Sequence, residues 1–257
     1  MHFWLIAIWR TIPRRWVIIA LPIVIPFVLF AGWWLFGGLF QKPPDPKLLA
    51  ARAELRQILP AAHNGDRAAQ YRVGIIYRDG LTGQVDGNEA ARWFGEAMKR
   101  GDGEAQLALG ELYARGLGVR QDYARAAELY RSAAGFGRNV QAQYLLGDLY
   151  AHGRGVALDY LTAVDMFRKA ALGGHAGAQS FLGSMYENGF GVDRDPTEAF
   201  VWYSLAGERA AVAMSYRPDI DPRVALEKLK SGMTRLQVRD AERALTATRR
   251  KISRPAG

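Results

Sequence analysis

The sequence predicts an all-α fold: a solenoid of four helix-turn-helix repeats that follows an N-terminal transmembrane helix. Three observations support this prediction. Similar text recurs at a nearly fixed interval, so that Gly74, Gly110, Gly147 and Gly183 stand 36, 37 and 36 residues apart. Apolar residues inside each copy follow helical spacing, and 25 consecutive positions near the N-terminus carry no charge. A period of this length is typical of solenoids, whose repeats pack mainly on their neighbours.

The uncharged run, residues 16–40, is long enough to cross a hydrocarbon core of roughly 30 Å as a helix. Tryptophans flank its apolar centre as in the aromatic belts of membrane proteins, with Trp4, Trp9 and Trp16 before it and Trp33 and Trp34 after it. A cleaved signal peptide is the alternative. The run ends in bulky residues and prolines, however, instead of the small residues of a cleavage site, and we predict an uncleaved anchor.

Basic residues predict the orientation of this anchor. Arg10, Arg14 and Arg15 precede the run, and the positive-inside bias therefore places residues 1–15 in the cytoplasm or at the membrane interface. The rest of the chain then lies outside. We predict a single-pass protein of a bacterial inner membrane with its repeats in the periplasm.

Two short segments connect the anchor to the repeats. Residues 41–46, QKPPDP, form a stiff linker because each proline restricts its own φ and disfavours helix in the preceding residue. Residues 47–66 carry a helical stripe that includes Leu48, Leu55, Ile58 and Leu59. We predict that this segment is a half-repeat that caps the N-terminal end of the solenoid.

The four repeats occupy residues 67–210, and eight columns are identical in all copies. In the second copy these columns are Ala105, Gln106, Gly110, Tyr113, Gly116, Asp122, Ala126 and Ala133. A ninth column is always aromatic, with Phe94, Tyr130, Phe167 and Tyr203.

The physical properties of these columns predict a helix hairpin. Ala105, Leu109 and Leu112 follow the spacing of an apolar stripe on a first helix, helix A. A glycine inside that helix costs about 1 kcal/mol relative to alanine, so Gly110 predicts a close approach of the partner helix. Gly116 permits the positive φ that ends helix A. Asp122 is the natural N-cap of the second helix, helix B.

The pattern A-Q-x-x-L-G-x-x-Y-x-x-G-x-G-V-x-x-D-x-x-x-A resembles the Sel-one-like repeat (SLR), a relative of the tetratricopeptide repeat. The first copy departs from it, with GLTGQVDGN in place of G-x-G-V. The resemblance covers residues 68–210 and implies a right-handed α-solenoid. It also implies that helices A line the concave side.

The period stops in the C-terminal segment, residues 211–257. Pro218 and Pro222 fall where a fifth helix A would continue. Asp221 can cap a helix that ends at Gly232, and Thr234 with Gln237 has the spacing of a capping box for a final helix. We predict that these helices cap the solenoid and end in a basic tail.

Charge and composition exclude several functions. The formal net charge is +9, but residues 48–207 hold 17 basic and 18 acidic residues, so the excess lies at the ends and we predict no nucleic-acid partner. The chain contains no cysteine, and its four histidines are scattered without metal-ligand spacing. We therefore predict no metal, no cofactor and no catalytic residue. The G-x-G-V loops lack a P-loop lysine and are interpreted as turns.

The positions that vary between copies predict a binding surface on helices A. A groove that mixes aromatic and charged groups suits an extended peptide or a partner helix. The predicted groove residues are Tyr71, Ile75, Arg78 and Asp79 of the first repeat, Leu107, Glu111, Ala114 and Arg115 of the second, Tyr144, Asp148, Ala151 and His152 of the third, and Ser180, Ser184, Glu187 and Asn188 of the fourth. An ordinary solvated face is the alternative.

The sequence thus predicts a non-catalytic, membrane-anchored scaffold or adaptor, an accessory subunit of a bacterial envelope assembly. Its partner is another protein, held in the groove. The span over residues 16–40, bent at Pro22 and Pro26, can also pack against another membrane subunit. The alternative is an enzyme, or the direct regulator of one, in cell-wall or exopolysaccharide metabolism.

Overall fold

The computed structural model describes residues 45–135 and 139–253, and within these ranges the chain forms twelve helices and no strand. It divides into two units, Met1–Pro46 and Lys47–Gly257. The helices are α1 (Pro46–His63), α2 (Arg67–Arg78), α3 (Gly87–Lys99), α4 (Gly103–Arg115), α5 (Tyr123–Gly135), α6 (Val140–His152), α7 (Tyr160–Leu172), α8 (Ala176–Asn188), α9 (Pro196–Glu208), α10 (Ala210–Tyr216), α11 (Pro222–Ser231) and α12 (Arg235–Ser253).

Helices α2 to α9 form four hairpins in which each helix A packs on its own helix B, and the helices A of the last three repeats also pack on the helix B before them. The predicted aspartate caps are confirmed: the Asp86 and Asp122 carboxylates each accept a bond of 3.0 Å from the backbone N–H three residues later. In the fourth repeat Asp195 accepts from Thr197 and Glu198. The all-helical solenoid predicted from the period is therefore confirmed.

The glycine inside each helix A lies directly under the aromatic ring of helix B. A Cβ added at Gly110 would stand 2.7 Å from Cε1 of Tyr130, closer than any real side chain. The aromatic column is the centre of the core, because Phe94, Tyr130, Phe167 and Tyr203 are all buried. Each such ring stabilises the fold by about 1.5 to 3 kcal/mol relative to an exposed one. The close helix approach predicted from Gly110 is confirmed.

The second loop glycine joins neighbouring hairpins. Gly118 has a φ of 68° and its Cα lies against the backbone of Gly87 and Asn88, at the start of the preceding helix B. A side chain there would be strained in φ and would also strike that backbone. In these loops the backbone of one hairpin therefore contacts the backbone of the preceding hairpin directly.

In the first and fourth repeats the invariant glutamine bonds helix A to the helix before it. Gln179 is 5% exposed and its side-chain amide donates to the carbonyl of Ala171 at 3.2 Å. Gln70 donates to Ala62 of α1 in the same way, at 3.1 Å. Ala62 of α1, Val73 of α2 and the Trp93 ring of α3 form one buried cluster at this end of the solenoid.

The C-terminal end departs from the pattern. Helix α10 has only seven residues and packs on α8, a helix A, whereas α11 and α12 cover α9. Gly177 permits this approach, because a Cβ there would lie 2.7 Å from Cβ of Tyr216. The predicted caps are confirmed: Asp221 accepts from Arg223, and Thr234 and Gln237 exchange the bonds of a capping box.

The predicted transmembrane helix over residues 16–40 lies outside the described residues. Across residues 45–135 and 139–253 no helix has both the length and the apolar content that a membrane span requires.

Candidate functional groove

Two adjoining cavities lie along the surface formed by helices A. The first has a volume of about 400 Å³ and lies between α4 and α6. The second, of about 420 Å³, lies between α6, α8 and the segment after α10. Asp148 and Arg154 line both cavities. We call this continuous surface the groove and the two parts the Glu111 cavity and the Phe181 cavity.

The Glu111 cavity combines charge with aromatic and aliphatic walls. Its lining residues are Glu111, Ala114, Arg115, Tyr123, Tyr130, Gln141, Leu145, Asp148, Leu149 and Arg154. The predicted groove residues Glu111, Ala114, Arg115 and Asp148 thus come together in one cavity. The Phe181 cavity is lined by Asp148, His152, Arg154, Phe181, Tyr216, Arg217 and Asp219.

An ion pair separates the two cavities. The Arg154 guanidinium donates to the Asp148 carboxylate, which also lies 3.1 Å from Nδ1 of His152. The Arg154 guanidinium lies 5.5 Å from the centre of the Tyr123 ring, within cation–π distance. Nε of Arg154 is buried and has no hydrogen-bond acceptor among the described residues. The Arg154–Asp148 pair between the cavities therefore has one N–H donor, Nε of Arg154, without an acceptor in the described part of the chain.

Glu111 is half-buried and burial raises the pKa of its carboxyl group, against which the positive charges of Arg78 and Arg115 act in the opposite direction. Arg78 is engaged elsewhere, because its Nε donates to Asp79 at 2.7 Å. No described residue forms an ion pair with Glu111 within 4.0 Å. The Glu111 cavity therefore contains a partly desolvated carboxylate without a direct cationic partner.

Tyr216 and Arg217 form the wall at the far end of the groove. The Tyr216 ring centre lies 5.0 Å from that of Tyr144, edge to face, and the Arg217 guanidinium lies 4.1 Å above the Phe181 ring. Nη2 of Arg217 also donates a hydrogen bond of 2.6 Å to the Asp219 carboxylate. This arrangement buries Tyr144 and leaves the Phe181 cavity beside it.

His175 supports the covered end from below. Its Nδ1 accepts from the backbone N–H of Ala178 at 3.1 Å and caps α8, while Nε2 lies 3.0 Å from the Gln141 side-chain oxygen. The ring also stacks on Tyr144 at 4.2 Å. Burial lowers the pKa of His175 to about 4. The neutral imidazole, with its proton on Nε2, is therefore the form that fits this site.

Three predicted groove positions are not exposed, and the prediction of their exposure was wrong. Tyr144 is 5% exposed because Tyr216, His175 and Phe181 surround it. Leu107 is 8% exposed and belongs to the core between α4, α5 and α6, and Ser180 is fully buried. The spacing that places these residues on the helix face is right, but neighbouring helices cover that part of the face.

The remaining predicted positions lie beside the cavities. Tyr71 is half-buried, with its ring 5.7 Å from that of Phe94, and Ile75 packs against the same cluster. Glu187 accepts from the Tyr203 hydroxyl at 2.8 Å, and Asn188 donates to the Ser184 carbonyl at 2.8 Å. These predicted positions of the first and fourth repeats therefore lie outside the linings of the two cavities.

Sequence reasoning missed Arg154, Tyr216 and Arg217. Arg154 stands between two loop glycines, where the other copies have leucine or phenylalanine, so its charge was a detectable signal. Tyr216 and Arg217 lie outside the repeats. The indirect signal for them was Gly177, which replaces the Glu104 and Gln141 of earlier copies.

The chemistry of the groove is that of recognition. Its polar groups are carboxylates, guanidiniums, an exposed imidazole and tyrosine hydroxyls, arranged across an open surface. No group of three or more metal-ligating side chains occurs within the described ranges. The arrangement can hold extended or helical polypeptide by combining ion pairs with apolar contacts.

Comparisons with known proteins agree with this architecture. A sequence model described as Sel1 repeat matches residues 67–102, 103–134, 140–175 and 176–210, more than half of the chain. A curated relative, the ERAD-associated E3 ubiquitin-protein ligase component HRD3A of Arabidopsis thaliana, is 40% identical over 58 residues, which are 22% of this chain and 9% of that protein.

Solved structures include similar solenoids. A Sel1 repeat protein from Oxalobacter formigenes is 30% identical with a TM-score of 0.54, covering 61% of this chain and 64% of its own. A protective antigen of uropathogenic Escherichia coli with an SLR fold is 24% identical with a TM-score of 0.47, covering 77% of this chain and 48% of its own. The chain thus spans less than two thirds of each of these relatives. Because the family pattern matches most of the described chain in four successive copies, the chain belongs to the Sel1 repeat family.

Proposed function

We propose that the chain is a non-catalytic, membrane-anchored adaptor that holds a partner protein in the groove. Sel1 repeat proteins act in protein–protein interaction. The observation that carries the proposal for this chain is the pair of adjoining cavities, about 400 and 420 Å³, along helices A. Their mixture of charged, aromatic and aliphatic walls provides both specificity and buried area for a polypeptide.

The finer part of the proposal concerns location. The uncharged run over residues 16–40 and the arginines before it support an anchor in a bacterial inner membrane, with the repeats in the periplasm. Tethering raises the local concentration of the groove near other membrane components, so that modest affinity for a partner suffices. The HRD3A relative is by its name a component of a larger ligase, which supports an accessory role in an assembly.

Quantitative co-purification tests the groove. The full chain and its Glu111→Ala and Asp148→Ala variants are extracted from native membranes in mild detergent, and bound proteins are measured by mass spectrometry. We expect both variants to lose most of the specific partner. Glu128→Ala, on the exposed face of α5, is the matched control and should retain it. Equal recovery with all four proteins contradicts the proposal.

A reporter fused after Gly257 tests the location. A reporter that is active only outside the cytoplasm should give a signal. A reporter that is active only in the cytoplasm, fused at the same position, should give none. Activity of the cytoplasmic reporter overturns the proposed orientation while leaving the groove proposal intact.

A further inference from the structure

We propose that the Glu111 cavity is a subsite for one basic side chain, lysine or arginine, of the bound partner. This inference rests on the proposed function and specifies the chemistry that the groove recognises. It is drawn from a comparison of equivalent positions in the second and third repeats.

Glu111 and Asp148 are equivalent residues, each immediately after the glycine inside its helix A. In the third repeat the loop residue Arg154 supplies the guanidinium that pairs with Asp148. The equivalent loop residue of the second repeat is Leu117, which is 37% exposed. The second repeat thus has the carboxylate of this pair without its cation.

Neighbouring guanidiniums do not replace the missing cation. Arg78 is bound to Asp79 through two hydrogen bonds, of 2.7 and 3.2 Å. Arg115, one turn along α4, is exposed and forms no ion pair within 4.0 Å among the described residues. Burial raises the pKa of Glu111 in spite of these two charges. A cation that enters the cavity would restore the interaction energy that the carboxylate loses with its hydration.

The walls of the cavity suit a long basic side chain. Lysine and arginine have apolar stems, which can contact Ala114 and Leu145, and a cationic end, which can reach Glu111. The Tyr123 ring already accepts one guanidinium, that of Arg154, and offers the aromatic surface that such cations favour. Of the two carboxylates that line the cavity, Asp148 is already paired with Arg154, so Glu111 is the one that an incoming cation can pair with.

The test begins with selection from a random dodecapeptide library against the purified full chain in detergent. We expect the selected peptides to share one lysine or arginine. The strongest arginine peptide is then synthesised in two forms, with arginine and with citrulline, which has the same shape without the charge. We expect citrulline to weaken binding about tenfold, in the range of a charge-assisted pair.

Variants locate the effect. Glu111→Gln should weaken the arginine peptide about tenfold and leave the citrulline peptide unchanged. Leu117→Arg should have a similar effect, because it gives the second repeat the intramolecular cation that the third repeat already has. Glu128→Gln on α5 is the matched control and should change neither affinity. Thermal unfolding of each variant shows whether its fold is intact.

The outcomes separate the inference from the function on which it rests. Equal affinity of the arginine and citrulline peptides, or of wild type and Glu111→Gln, overturns the inference. If peptides still lose affinity through Asp148→Ala in that case, the groove function stands. If no peptide is affected by any groove substitution, the groove function fails as well.

Discussion

The groove has two halves that use the same helical framework and differ in the pairing of their polar groups and in whether helix α10 packs on helix A. Around Glu111 the surface between α4 and α6 is open and has an unpaired carboxylate. Around Tyr144 the helix face is covered by Tyr216, and the carboxylates that line the Phe181 cavity are paired, Asp148 with Arg154 and Asp219 with Arg217. In this molecule the invariant columns build the hairpins, whereas variable positions and the short helix α10 decide which side chains of helices A are buried and which carboxylates are paired.

The framework columns should respond equally in both halves, and their substitution has the largest expected effect. Gly110→Val and Gly183→Val place a branched side chain against Tyr130 and Tyr203, where even a Cβ lies 2.7 or 2.5 Å from ring carbons. Each should lower the free energy of unfolding by about 3 kcal/mol, measured by urea denaturation. Gly95→Ala, whose Cβ meets nothing within 4 Å, is the control and should raise it by about 1 kcal/mol. Unequal decreases in the free energy of unfolding for Gly110→Val and Gly183→Val would show that the two halves are not equivalent.

Acid should affect the covered half through His175. The folded pKa of about 4 lies below the unfolded value of 6.5, so the unfolded chain binds the proton first. The contribution of the neutral His175 to the free energy of unfolding is fully present above pH 6.5. It falls by about 2 to 3 kcal/mol as the pH decreases towards 4.

A substitution isolates this effect. Asn139 caps α6 at the equivalent position, so His175→Asn should keep the cap of α8 and remove this part of the pH dependence. Urea denaturation between pH 7 and pH 4 measures the difference between the two proteins. The exposed His152→Asn is the control. Parallel pH profiles for wild type and His175→Asn would contradict the assigned role.

Removal of the Tyr216 ring should expose Tyr144, which it now covers. Tyr216→Ala removes the ring contacts with Tyr144 and His175 and should lower the free energy of unfolding by about 1.5 kcal/mol. Hydrogen exchange should accelerate in α8 and remain unchanged in α4. Equal acceleration in both helices would show that the two halves are not independent.

The smallest effect distinguishes the two equivalent carboxylates. Asp148→Asn leaves Arg154 without its partner and should cost about 1 kcal/mol. Glu111→Gln should instead stabilise the protein by about 0.5 kcal/mol at pH 7, because it removes an unpaired charge. The folded pKa of Glu111 is raised, so this gain should disappear below its ordinary value of 4.5. Urea denaturation of each variant and of wild type at pH 7 and pH 4 measures both changes in the free energy of unfolding. A lower free energy of unfolding for Glu111→Gln than for wild type at pH 7 would contradict the prediction.

Much of the fold could be predicted from the sequence because its determinants are local and repeated. Gly110 specifies the close approach of the two helices, Gly116 the end of helix A and Asp122 the start of helix B. Because each occurs in four copies, these signals can be recognised in the sequence. The groove was predicted less completely. Exposure of Tyr144 depends on Tyr216, 72 residues later and outside the repeats. No periodic pattern contains that contact, which results from a short helix packing on α8.

The most direct test of the groove uses the absence of cysteine from the chain. A benzophenone crosslinker is attached to a single cysteine, either at Arg115→Cys in the groove or at Glu128→Cys on α5, in the full chain within native membranes. Mass spectrometry then measures the yield and site of crosslinks to other proteins after illumination. We expect one partner segment to crosslink from position 115 and to give no crosslink from position 128. Equal yields from the two positions, or a partner found only at position 128, would contradict the account of the groove.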